Sequence, residues 1–341
     1  MPRKARIDAP GALHHVIARG IEQCRIFDDV LDKNRFLERL GNILCETQTL
    51  CYAWALLPNH FHLLLRTGNT PISTVMRRLL TGHAISYNRR HGRCGHLFQN
   101  RYRSILCDEQ PYFLELVRYI HLNPLRANIV KNLNELDSYP FSGHSYVMGK
   151  LSNDWQDTNL VLELFGSMVM SARKRYHEFV SKGIEQGKRS DLVGGGLVRS
   201  MGGWSEVKKH QKEQVPMKGD ERILGNSAFV SRILSQAEEN FEKRHYLKTV
   251  GMNLDMLAQR VAEINGIEVR DVWSAGKHRK TVQARSLLCY WAVRELGESM
   301  ASMARRLNLS TTAISKSVIR GEILTRERNL LLFEGEEKFK S

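Results

Sequence analysis

The sequence has no apolar run long enough to cross a membrane, which takes about 18 residues or more. Its longest candidate, Leu56 to Leu65, is interrupted by Pro58, Asn59, His60 and His62. No membrane partner is expected. The basic N-terminus, MPRKARIDAPG, has no apolar stretch after it, so no secretory signal is read there. Cysteine is scarce: Cys24, Cys45, Cys51, Cys94, Cys107 and Cys289, none of them in a CxxC pair. Paired-cysteine zinc sites thus have little support. So few thiols in a long chain fit a reducing compartment, with most expected as small buried hydrophobes. Acidic residues are the minority: 36 Asp and Glu face 51 Lys and Arg, for a net charge of +15. Such a field attracts polyanions. It does not choose between DNA, RNA and an acidic membrane surface.

What is present describes a folded chain of two or three domains, with 341 residues, 42% of them hydrophobic. ALHHVIA at 12–18 reads as a strand. Residues 29–47 carry Val30, Phe36, Leu37, Leu40, Ile43 and Leu44 at helical spacing. Cys51 to Leu57 and His60 to Arg66 read as two strands joined by the Pro58-Asn59 turn. A helix is expected from Pro71 to about His91, stopped by Gly92 and Gly95. Arg101 to Cys107 is a fourth strand, and a helix follows from Gln110 to about His121. This order predicts an α+β fold: a ferredoxin-like antiparallel sheet with helices, followed by an all-helical domain containing a helix-turn-helix. The domain plan is 1–150 for the sheet-bearing domain, 151–181 a helical extension, 182–220 a Gly- and Lys-rich linker or mobile segment, 221–330 the helical domain and 331–341 a polar tail.

The most informative segment is Pro58-Asn59-His60-Phe61-His62-Leu63-Leu64-Leu65. On a strand, alternate residues share a face, so His60 and His62 project together while Phe61 and Leu63 point the other way. Two neutral imidazoles on one strand can share a metal ion. They are also readable as core histidines satisfied by hydrogen bonds. In the helix ending LVRYIHLNP, Tyr119 and Asn123 are four apart and share a face. Asn123 offers an amide oxygen as a third ligand, beside which Tyr119 supplies a phenol. Mg²⁺ prefers oxygen ligands and Mn²⁺ accepts imidazole more readily, so either ion is a candidate. A phenol attacking a phosphodiester stores the broken bond as a protein–DNA ester, which can be resealed without an external energy source.

Here the chain resembles the REP-associated tyrosine transposases, relatives of the single-domain transposases with an HUH motif and one tyrosine. The resemblance rests on HHVIARG at 14–20, ALLPNHFHLLLR at 55–66, GHLFQNRYRS at 95–104 and LVRYIHLNPLRANIV at 116–130, and covers roughly residues 8–150. It implies that His60 and His62 bind the divalent ion and that Tyr119 is the nucleophile. Asn123 falls where the smaller relatives have a metal-side glutamine. It further implies cleavage of single-stranded DNA near imperfect hairpins, leaving a 5′-phosphotyrosine and a free 3′-hydroxyl.

Charge agrees with a nucleic-acid partner. Residues 1–150 hold 20 Lys and Arg against 12 Asp and Glu, and residues 277–328 hold 11 against 4. Arg101 and Arg103, two apart on the predicted fourth strand, are candidates for phosphate contacts. Tyr102 and Phe98 are candidates for stacking on unpaired bases or for core packing. Near the C-terminus, SMASMARRLN and LSTTAISKSVIRG read as a helix-turn-helix. Thr311, Thr312 and Lys316 would face a major groove there, and Lys277, Arg279, Lys280 and Arg285 would clamp phosphates. Residues 245–325 resemble the DNA-binding domain of the bacterial replication initiator. ARSLLCYWAVREL matches its long helix, while LSTTAIS stands where its aspartate–histidine recognition pattern would be.

The leading expectation is a cytoplasmic, nucleoid-associated enzyme that cleaves and rejoins single-stranded DNA with hairpins and holds duplex DNA through its C-terminal domain. A non-catalytic DNA-binding regulator and a hydrolytic metal-dependent nuclease are the alternatives. The sequence leaves monomer and homodimer open.

Overall fold

The computed structural model describes residues 7, 11–68, 70–187, 189, 192, 220, 222–274, 276 and 278–333. Lys277, most of the expected linker and most of the polar tail lie outside them. The chain divides into an N-terminal unit, Met1–Arg232, and a C-terminal unit, Ile233–Ser341.

The N-terminal unit follows the predicted alternation. Its elements run β1 Leu13–Arg19, α1 Val30–Thr47, β2 Leu50–Leu57, β3 His60–Arg66, α2 Ile72–Arg90, β4 Arg103–Cys107 and α3 Glu109–His121. Local chemistry sets the ends. Asp29 caps α1 by accepting from the Asp32 amide at 3.0 Å, and Gln48 closes it in the left-handed conformation. Short helices follow: α4 Asn123–Arg126, α5 Leu133–Asp137, α6 His144–Val147, α7 Thr158–Glu163 and α8 Val169–Ser181.

The sheet order is β2-β3-β1-β4-β5, and its first four strands are antiparallel in ferredoxin-like order. The fifth strand corrects the expected purely antiparallel sheet. β5, Ile223–Leu224, lies parallel to β4, with the Leu106 amide donating to the Arg222 carbonyl and the Asp108 amide to that of Leu224. From sequence alone these residues fall at the start of the helical region. Two apolar residues between polar ones carry no strand period, so their pairing is visible only in three dimensions.

Both sheet faces are covered. One packs Val16, Trp54, Phe61, Leu63 and Leu65 against α1 and α2 through Phe36, Leu40, Val75 and Leu79. The other packs Ala53, Ala55, Leu64 and Ile105 against α3. Phe113, Leu116, Val117 and Ile120 recur on α3 at three- and four-residue spacing and are all buried. Each such side chain contributes about 1.5–3 kcal/mol when fully buried. Tyr102 joins the core rather than the surface, and Phe98 packs against it, because both sit where the chain returns into β4.

The C-terminal unit is helical. The division falls within α9, Ser227–Thr249, after which come α10 Leu254–Asn265, α11 Val269–Val272, α12 Arg279–Arg294, α13 Met300–Leu307 and α14 Thr311–Glu327. Leu257, Val261, Leu288, Trp291, Met303 and Val318 form its core. α13 and α14 are the expected helix pair, joined by Asn308 in the left-handed conformation and by Ser310, which caps α14 by accepting from the Ala313 amide. The second helix is longer than its predicted segment. It crosses α12 closely at Gly321, where an added Cβ would fall 2.1 Å from the Ser286 carbonyl oxygen. Among the described residues no helix is long and apolar enough to cross a membrane. All six cysteines are free thiols, and Cys51, Cys107 and Cys289 are buried.

Candidate active site

The α3-covered face of the sheet opens into a cleft of about 610 Å³. His60, His62, Tyr119 and Asn123 all line it, and so do Arg101 and Arg103. Residues up to 63 apart in sequence converge there because β3, an interior strand, carries the histidines while α3 crosses that same face. Three further arginines, Arg19, Arg126 and Arg189, complete the wall, and no carboxylate is among its described residues. β4 begins at Arg103, so Arg101 precedes the strand rather than sharing it.

The histidine rings are held in defined orientations. His60 Nδ1 donates to Asn59 Oδ1 at 2.7 Å. His62 Nδ1 lies 3.0 Å from Nε2 of His15, a β1 residue that sequence reasoning left inside an apolar strand. Each ring thus engages its neighbour through Nδ1, and Nε2 is the atom left to a ligand. The two rings have centroids 5.2 Å apart at 72°. With metal–nitrogen bonds of about 2.1 Å, that spacing lets two imidazoles share one ion. Burial, with the Arg19 charge second, pushes His60 down to about 4. Burial also pushes His62 well below the usual imidazole range, aided by His15, His60 and Arg19. Neutral rings are the form that binds a metal.

Asn123 is oriented in the same sense. Its Nδ2 donates back to the carbonyls of Tyr119, at 3.0 Å, and Ile120, at 3.3 Å. The side-chain oxygen is then the amide atom free to act as a ligand. Two imidazole nitrogens and an amide oxygen fit Mn²⁺ or Mg²⁺ with positions left for phosphate oxygens.

Tyr119 stands beside the histidines, its ring 5.8 Å from that of His62 and 6.0 Å from that of His15. Arg126 lies against the phenol ring at 5.2 Å and donates to the Tyr119 carbonyl and to that of Gly183. Arg189 reaches the cleft from beyond α8 and donates to Glu115 on α3 at 2.9 Å. Behind the tyrosine helix is a buried polar chain. His121 Nδ1 and His144 Nδ1 both meet the Tyr176 hydroxyl, at 2.7 and 2.8 Å, and His144 Nε2 meets Asp137 at 2.7 Å. It ties α3 to α6 and α8, which fixes the helix that carries Tyr119.

A second group of possible ligands lies elsewhere in the unit. Asp28, Asp32 and His91 bring ligand atoms within 4.8 Å of one another and could chelate a divalent metal. Arg90 and His91 already bond Asp32, at 2.6 and 2.9 Å, and the Tyr87 hydroxyl donates to Asp28 at 2.6 Å. Both carboxylates of the group are thus already engaged by side chains of α2 and the residue after it.

In the C-terminal unit, Arg279 and Lys280 are exposed in the first turn of α12, and Thr311, Thr312 and Lys316 are exposed on α14. Arg285, expected to clamp phosphates, is instead buried and donates to the carbonyls of Ser274 and Gly276 at 2.9 and 3.3 Å. Its position on the inner face of α12 commits the guanidinium to the loop before that helix.

A ferredoxin-like sheet thus brings a strand-borne histidine pair and a helix-borne tyrosine into one arginine-lined cleft. Residues 11–123 match the family model described as transposase IS200 like, a span that includes His60, His62, Tyr119 and Asn123. The N-terminal region thus matches a tyrosine-transposase-like family, and at the level of class this supports a nuclease-like activity on nucleic acid. A solved structure of a REP-associated tyrosine transposase bound to a REP hairpin is similar over 46% of this chain and 94% of that one, at 16% identity and a TM-score of 0.37. No curated protein matches the chain.

Proposed function

We propose that this protein cuts and rejoins single-stranded DNA at hairpin-associated sites, with Tyr119 as the nucleophile. The observation that carries the reading is the meeting of Tyr119, His60, His62 and Asn123 in one cleft walled by five arginines. A divalent ion, Mg²⁺ or Mn²⁺, held by His60, His62 and Asn123 would polarise the scissile phosphate and stabilise charge on its oxygens.

The chain's own residues account for the remainder. Arg19, Arg101, Arg103, Arg126 and Arg189 hold the phosphate backbone across the cleft and give salt-dependent affinity. Arg126 also places a cation against the phenol ring, which favours charge developing on its oxygen. Tyr119 Oη attacks phosphorus and the bond to the 3′ oxygen breaks. The proton lost from the phenol is balanced by the one gained at the new 3′-hydroxyl. The 5′-phosphotyrosine keeps the bond energy, and attack by a 3′-hydroxyl reverses the step. The buried chain from His121 to Asp137 holds α3 still while this happens.

In this reading the N-terminal unit is catalytic and the C-terminal unit holds duplex DNA. Its contacts are Arg279, Lys280, Thr311, Thr312 and Lys316, which fit an initiator-like helix-turn-helix.

The test is incubation with labelled hairpin-bearing single strands and Mg²⁺ or Mn²⁺, followed by denaturing electrophoresis. A denaturation-resistant adduct that vanishes in Tyr119→Phe is expected. Cleavage that survives Tyr119→Phe would instead mark a hydrolytic nuclease. Binding without cleavage would mark a regulator.

A further inference from the structure

The proposed metal site needs both histidines in the less common of their two neutral forms. A free imidazole in water favours the proton on Nε2, the nitrogen that must here offer a lone pair. For His60 the matter is settled by Asn59, whose side-chain oxygen can only accept and so holds the proton on Nδ1. Among the described residues, no such oxygen bonds His62 Nδ1. Its partner there is His15 Nε2, at 3.0 Å, with the two rings nearly parallel at 26°. Between two neutral imidazoles one proton is shared, and its side of the bond decides whether His62 is a ligand.

Strand register brings the two rings within reach of each other. β1 and β3 run antiparallel with His15 opposite Leu64 and His62 opposite Ile17. His15 is therefore the diagonal neighbour of His62 on one face, within reach of a long side chain. His15 is fully buried, and His62 is 4% exposed. Water does not substitute easily for either partner.

From this we infer that His15 is a positioning residue for the metal centre. Its Nε2 accepts from His62 Nδ1–H, fixes the His62 tautomer and ring plane, and leaves His62 Nε2 bare toward the cleft. The role is usually taken by a carboxylate or a backbone carbonyl. A neutral imidazole performs it without adding negative charge, so the ion's charge stays available to phosphate oxygens. The inference rests on the proposed metal role of His62 and adds a residue to it.

The test begins with the metal-free wild-type protein carrying ¹⁵N-labelled histidine. The ¹⁵N shifts of His62 should show a protonated Nδ1 and a bare Nε2. A His62 protonated on Nε2 would overturn the inference without any variant. Mn²⁺ affinity is then measured by calorimetry and electron paramagnetic resonance. His15→Ala should weaken binding about ten- to a hundredfold and shift His62 toward the Nε2–H form. His15→Gln, whose side-chain oxygen also accepts, should restore the tautomer and most of the affinity. Thermal unfolding of each variant separates a lost fold from a lost hydrogen bond. Wild-type affinity and tautomer in His15→Ala, with binding lost in His62→Ala, would overturn the role of His15 alone. Mn²⁺ binding that survives His62→Ala would sink the metal reading itself.

Discussion

The two units of this chain are built on different principles. The N-terminal unit, up to Arg232, holds eleven of the thirteen histidines. It buries many of them, His14, His15, His62, His83, His121 and His144 among its core polar groups. The C-terminal unit has only His245 and His278, and its core is mostly apolar, with Thr281, Arg285, Ser286 and Ser317 the buried polar residues among those described. One unit accepts the cost of buried polar groups in exchange for fixed, directional hydrogen bonds. The other offers exposed helix starts on an apolar bundle. Under the proposed function, the first would be the part organised for chemistry and the second the part organised for holding DNA.

The sharpest way to break that contrast is to remove the phenol. Tyr119→Phe should reduce covalent adduct by about a thousandfold or more, with DNA affinity nearly unchanged in a filter-binding or mobility-shift assay. An equal loss of binding would mean the units do not divide the labour.

Acid should separate them next. Burial pushes His14 and His83 down to about 4, while an unfolded histidine titrates near 6.5. The unfolded chain therefore takes up protons first as pH falls. The stabilising contribution is complete above about 6.5 and is lost progressively toward 4, by about 3 kcal/mol for each of these two groups at most. Trp54 and Trp155 report on the N-terminal unit and Trp273 and Trp291 on the other. Single-tryptophan variants should show the N-terminal signal failing first. Simultaneous loss at all four would erase the distinction.

Packing gives a smaller, opposite effect. Gly321→Ala forces a methyl against the Ser286 carbonyl and the Tyr290 side chain. It should cost the C-terminal unit about 1–3 kcal/mol, read as an earlier thermal transition at Trp291 while Trp54 is unmoved. Smallest is a charge effect on the helix pair. Lys316→Ala should lower duplex affinity at low salt and reduce the slope of log affinity against log salt by about 1. Single-strand cleavage should not change.

Much of the N-terminal unit was legible because its signals are local. β3 carries His60 and His62 at the two-residue period of a strand, and Tyr119 and Asn123 sit one helical turn apart. Short-range periodicity reports such relations directly. What escaped depends on pairing across the sheet or on distant chain. His15 meets His62 over 47 positions, through a register no local pattern encodes. Arg189 comes from a Gly- and Lys-rich stretch that composition marks only as linker, and Arg126 lies in the short helix after the tyrosine. Arg285 shows the converse failure: a basic residue beside others on a helix, yet turned inward to bond a loop. Charge in a sequence says how much is present, and burial decides where it points.

The fifth strand carries a consequence for how the molecule is made. β4 is finished at Cys107, but its outer edge is closed by Ile223 and Leu224, synthesised more than a hundred residues later. Until then a nascent chain, or any fragment cut at 150 or 181, exposes a row of unpaired backbone groups beside Leu106 and Cys107. Such an edge recruits strands from other molecules. Soluble expression of the N-terminal unit should therefore require the chain through Leu224, and shorter versions should aggregate.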